Sequence, residues 1–136
     1  MSEKINWTLN VQVVGGPKNS ASSTVIVDAY DKIGVAVAAG DTEEVEIQPG
    51  NAGRVQFLLI SSNKFDDQLT YKVNNAGTDI SLDAVQLLVG DGAVGLLPAA
   101  PKSLAFTNDL AEDVDIEVLV GRKALAPPPP PPPPPP

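Results

Sequence analysis

Ile5, Trp7, Leu9, Val11 and Val13 alternate with Asn6, Thr8, Asn10 and Gln12. This period of two is the signature of a strand buried on one side only. Gly15-Gly16-Pro17 ends the strand, and residues 18–22 read as a polar loop. A second strand is predicted at Val25-Ile26-Val27, and a third around Ile33, Val35 and Val37, ended by Gly40-Asp41. Val45 and Ile47 predict a short fourth strand, closed by Pro49-Gly50-Asn51, and residues 54–62 a fifth rich in large aliphatics. Leu69, Tyr71 and Val73 mark a sixth before the turn Asn74-Asn75-Ala76-Gly77. Further strands are expected at Ile80 and Leu82, at residues 85–89, at Leu104 and Phe106, and at Val114, Ile116, Val118 and Val120 before Gly121. No window supports a helix of useful length, because Asn108-Asp109 interrupts the best one, residues 104–112. About ten short strands separated by tight turns predict an all-β chain with antiparallel pairing, since such turns cannot return a parallel strand. The expected fold is an antiparallel β-sandwich of jelly-roll type over residues 1–126.

Several of these strands are apolar on both sides: Val25-Ile26-Val27, Phe57-Leu58-Leu59-Ile60, residues 85–89 and Val118-Leu119-Val120. A two-layer fold has one interior, so its strands should be apolar on one face and polar on the other. Hiding both faces of four strands exceeds what a lone domain of this size manages, and soluble monomers tolerate few large apolar patches. The pattern therefore predicts a homo-oligomer in which copies cover one another. The expected interface comprises Val85, Leu87, Leu88, Val94, Leu96 and Leu97, backed by Leu58 and Ile60.

The chain ends in ten prolines: Pro127, Pro128, Pro129, Pro130, Pro131, Pro132, Pro133, Pro134, Pro135 and Pro136. Each fixes φ near −65° and donates no backbone hydrogen bond. Residues 127–136 should therefore form a polyproline II rod, roughly 31 Å long at about 3.1 Å per residue. Such a rod loses little entropy on docking into an aromatic-lined groove, so its expected partner is a polyproline-binding protein.

Composition narrows function mainly by exclusion. The net charge is −8, and Arg122-Lys123 is the only adjacent basic pair, which argues against a nucleic-acid partner. The longest mostly apolar stretch, residues 85–100, is too short and too broken for a membrane span. Without cysteine there are no disulfides or thiolate metal sites, and without histidine the usual proton shuttle is missing. No spacing singles out a Ser–Lys or paired-carboxylate centre, so the expectation is a non-enzyme with no cofactor. Gly90-Asp91-Gly92-Ala93-Val94-Gly95 matches the dinucleotide-binding glycine pattern in letters, but Pro98 and Pro101 crowd out the helix that pattern needs. It reads as a glycine-rich hairpin turn. Among acidic clusters, Asp66-Asp67 is the least poor candidate for calcium, though no calcium-loop pattern surrounds it. The first residues carry no apolar run suited to export, so the expected location is the cytoplasm, or a particle assembled there.

These observations converge on a non-enzymatic structural subunit. It would form a symmetric homo-oligomer, a component of a shell, fibre, spike or phage-like particle, and display the proline rods together. The alternative is a small binding module for carbohydrate or a protein partner. Its site would lie in the end loops at residues 18–22, 62–68 and 74–77, where Phe65 is the one aromatic residue.

Overall fold

A computed structural model describes residues 2–50, 53–123 and 131–135 of the chain. The regular structure of the described residues is almost entirely β, in ten strands and one helical turn. The strands are β1 (Glu3–Gln12), β2 (Lys18–Val27), β3 (Ala29–Val37), β4 (Thr42–Glu46), β5 (Val55–Ser62), β6 (Asp66–Val73), β7 (Ile80–Leu82), β8 (Gln86–Val89), β9 (Ser103–Asn108) and β10 (Val114–Arg122). They form three antiparallel sheets: the hairpin β1-β2, a four-stranded sheet ordered β3-β10-β5-β8, and a second ordered β4-β9-β6-β7. Pairing in the two larger sheets is nested. β3 pairs with β10, β4 with β9, β5 with β8 and β6 with β7, as if one long hairpin had been folded across itself.

One hydrophobic core draws side chains from both four-stranded sheets. Val35, Val37, Leu58, Ile60, Ile116, Val118 and Val120 come from the first, and Leu69, Tyr71, Val73, Leu82, Leu104 and Phe106 from the second. On β10, the core residues Val114, Ile116, Val118 and Val120 alternate with exposed Asp115 and Glu117, as the period-2 pattern requires. Polar contacts lace the edges of this core. Arg122 donates to the Ile47 carbonyl at 2.9 Å and pairs with Asp31 at 2.7 Å, joining the end of β10 to residues beyond β4 and on β3. Asn74 and Asn75 turn the chain after β6 with positive φ, which asparagine tolerates. The Asn74 side chain then accepts from the Lys102 and Ser103 amides and donates to the Ala100 carbonyl.

Tyr71 lies in this core with its ring centroid 5.7 Å from that of Phe106, and its hydroxyl donates to Gln86 Oε1 at 2.6 Å. Burial pushes the Tyr71 phenol up from 10.0 to about 12. Above pH 10 the unfolded chain releases this proton while the folded chain still holds it. Tyr71 therefore contributes stability that is whole below pH 10 and is lost as pH rises toward 12. Urea midpoints across that window should fall further for the wild type than for Tyr71→Phe, which has no phenol to ionise.

Three readings of the sequence need correction. Residues 18–22, expected as loop, belong to β2, where they pair residue by residue with β1. Their side chains supply the hydrogen bonds of the hairpin's polar face, Ser20 to Asn10 and Thr24 to Asn6, both at 2.7 Å. The glycine-rich segment is not a hairpin turn but a single helical turn, α1 (Gly90–Val94), entered through Gly90 at φ +89°. Only five residues long, it leaves the prolines clear and buries Val94. Asp66 and Asp67 begin β6 instead of lying in a loop.

The β1-β2 hairpin extends from the body as an arm, attached through its base. Asp28 donates its amide to the Arg122 carbonyl, which anchors the end of β2 beside β10. A side chain on Gly121 would place its Cβ 2.8 Å from Ile5 Cδ1 and 2.9 Å from Val27 Cγ1, so the missing side chain is what lets the arm base sit down. Gly121→Val should lower stability by about 1–3 kcal/mol through overpacking, read as a shifted denaturant midpoint. Gly121→Ala should cost less, because the Ile5 terminus can move aside.

Of the expected proline rod, Pro127, Pro128, Pro129, Pro130 and Pro136 lie outside the described residues. Residues 131–135 are exposed and in neither helix nor strand.

Candidate interaction surface

The alternation in β1 builds an amphipathic ribbon. Antiparallel register sets Ile5 opposite Val25, Trp7 opposite Ser23, Leu9 opposite Ala21 and Val11 opposite Asn19, all on one face. The other face carries Asn6, Thr8, Asn10, Ser20, Ser22 and Thr24, with Lys4 and Ile26 near the base. Burial along the apolar face is graded. Val27 is buried at the base, Ile5, Trp7 and Val25 are half-buried, and then the face opens: Leu9 is 46% exposed, Val11 52% and Val13 58%. The cleanest amphipathic strand in the sequence thus has its outer half uncovered. The Trp7 indole N–H is shielded from solvent and has no hydrogen-bond partner among the described residues.

The eight expected interface residues separate into three groups. Leu58 and Ile60 have no exposed surface, because they point into the chain's own core from the interior strand β5. Their expected place at an interface is therefore corrected. Val94 is also buried, and Leu88 and Leu97 pack against the same core. Val85 and Leu96 remain outside, 56% and 82% exposed. Leu87 is half-buried on the opposite face of β8 from Leu88, beside Leu59.

The apolar outer side of β5 is only partly covered by the chain itself. Phe57 is buried beside Gly121, where the arm base rests. The next row across this sheet face, Leu119–Leu59–Leu87, stays half-exposed. It borders a groove of about 280 Å³ lined also by Lys32, Ser61 and Glu117.

Burial also separates the outcomes of two charge substitutions. Leu88→Asp should destabilise the fold by about 3 kcal/mol, since it sets a carboxylate against the core. Leu96→Asp should stay within about 0.5 kcal/mol of wild type. Chemical denaturation of the two variants checks both.

The remaining candidate chemistry is sparse. Asp66 accepts the Gln68 amide at 3.0 Å, which with a hydrogen bond from Asp67 holds its carboxyl below the usual range. Asp67, bonded to that carboxylate and facing its charge, is pushed up. Among the described residues no three acidic side chains gather into a metal-holding group. Phe65 borders a cleft of about 320 Å³ with Lys64, Asp66, Leu110, Ala111 and Glu112, the Lys64–Glu112 ion pair closing one side. Gln56 donates to Asp91 beneath a second cleft of about 330 Å³, lined by residues 97–101 and α1.

No protein-family model matches this chain, and neither the curated proteins nor the solved structures include a significant match. Among the described residues no helix is long and apolar enough to cross a membrane.

Proposed function

We propose that this chain is a non-enzymatic structural subunit that assembles with copies of itself into a symmetric homo-oligomer, as part of a shell, fibre, spike or phage-like particle built in the cytoplasm. The observation that carries the reading is apolar strand surface that one chain leaves uncovered: the outer half of the arm together with the Leu119–Leu59–Leu87 row. Burying such surface yields about 25 cal/mol per Å². Isologous or ring-closing contacts between copies are the economical way to bury it.

The nested strand pairing supports a finer architectural reading, that β3 to β10 form a jelly roll. The chain passes between the two four-stranded sheets at every connection except β6 to β7, which pair within one sheet. Jelly rolls recur in capsid and lectin subunits. That likeness is one of fold and lends weight to assembly only by analogy. In an oligomer the proline tracts would be displayed in several copies, and multivalency would raise weak binding to a polyproline-reading partner by ~10²–10⁴.

Negative-stain electron microscopy of the purified intact chain tests the proposal. The expected images are closed rings, shells or fibres with repeating subunits. A field of small single-chain particles at micromolar concentration would overturn it.

A further inference from the structure

We propose that the β1-β2 hairpin is an exchange arm: its outer apolar half lies on a second copy of this chain, across the Leu119–Leu59–Leu87 row of the β3-β10-β5-β8 sheet. The inference rests on the homo-oligomer reading and adds which surfaces meet.

Three observations converge on a second copy as the occupant. The first is that the arm's own body does not cover it. Ile5 and Val27 are seated over Gly121, but Leu9, Val11 and Val13 project beyond the part of the body that would shelter them. The second is continuity. The sheet face that receives this chain's arm base at Gly121 and Phe57 carries the half-exposed leucine row immediately alongside, one strand pleat further on. An arm from a neighbouring copy placed there extends packing of the same kind, aliphatic ribbon on aliphatic sheet.

The third is charge. Residues 3–27 hold two lysines, Lys4 and Lys18, and one carboxylate, Glu3, while the whole chain has a net charge of −8. With a net charge of +1, the arm can approach another copy without adding to acidic repulsion.

The absence of cysteine makes the contact directly testable, because every introduced thiol is the only one of its kind. The chain carrying Val11→Cys and Leu59→Cys, treated with a short bismaleimide, should yield a ladder of covalent multimers on a denaturing gel. The pair Gln12→Cys and Leu59→Cys, with its thiol on the opposite face of the arm, should yield at least tenfold less. An equal ladder from both pairs, or none from either, would overturn the contact.

A second variant, Leu9→Asp with Val11→Asp, changes only positions exposed in one chain and should match the wild-type denaturant midpoint at concentrations where the wild type has also dissociated. Its sedimentation should fall to that of a single chain at concentrations where the wild type is assembled. A fully assembled double variant would refute the exchange arm and leave the homo-oligomer reading standing. A wild type that sediments as one chain would remove both. Flotation of a single-chain wild type with phosphatidylcholine vesicles, lost in the double variant, would assign the arm to a lipid surface and likewise refute copy-to-copy docking.

Discussion

Phe106→Ala is expected to reduce the stability of the chain by about 3–5 kcal/mol, the range for emptying a buried aromatic site. Phe106 is fully buried on β9, an interior strand of its sheet, opposite Tyr71 on one neighbour and Glu43 on the other. Its ring sits tilted at 47° to that of Tyr71, a geometry that adds edge-on attraction to the area buried. β9 is held by strands on both sides, so the backbone cannot collapse inward to refill the space. Domains of this size are typically stable by about 5–15 kcal/mol, so the variant should lie close to unfolding at physiological temperature. Urea unfolding monitored by circular dichroism reads the effect, and a loss under about 1 kcal/mol would place Phe106 outside the core.

Asn108→Ala should cost about 3 kcal/mol for a different reason. The Asn108 amide donates to the Val37 carbonyl at 3.1 Å and to the Glu112 carbonyl at 2.8 Å, while its oxygen accepts the Leu110 amide at 2.9 Å. One fully buried side chain thus ties the end of β3 to the segment between β9 and β10. Each such bond contributes about 1 kcal/mol net, and the groups left without a partner raise the cost. Asn108→Asp keeps the shape but replaces two donors with a charge aimed at two carbonyls. It should be at least as destabilising near neutral pH, and should recover in part under acid, where the carboxyl can donate again. The same unfolding series across pH checks the pair.

Much of the architecture was legible because alternation survives wherever one strand face meets a core. Val114, Ile116, Val118 and Val120 were predicted as a strand and form β10, with its charged residues outward as their spacing implied. The segment at residues 18–22 was misread because Lys, Asn and Ser are poor indicators of strand. What makes it one is pairing with β1, a partner that composition does not reveal. Periodicity gave the strand at Ile5 to Val13 but not its burial, since the pattern is the same whether the apolar face meets the chain's own core or projects past it. For the same reason Leu58 and Ile60 were assigned to an interface. Strands with two apolar faces look alike whether their second face is covered by a copy or, as at Phe57, by the arm base. Val85 and Leu96 stood out in the sequence and are exposed, whereas the Leu119–Leu59–Leu87 row emerges only from cross-strand register.

Sedimentation equilibrium of the intact chain, diluted through the micromolar range, tests most directly whether one copy leaves surface for another to cover. A mass that stays a whole-number multiple of the chain, dissociating only on strong dilution, is the predicted result. A mass of one chain at every concentration, with Leu9, Val11 and Val13 remaining in water, would contradict it.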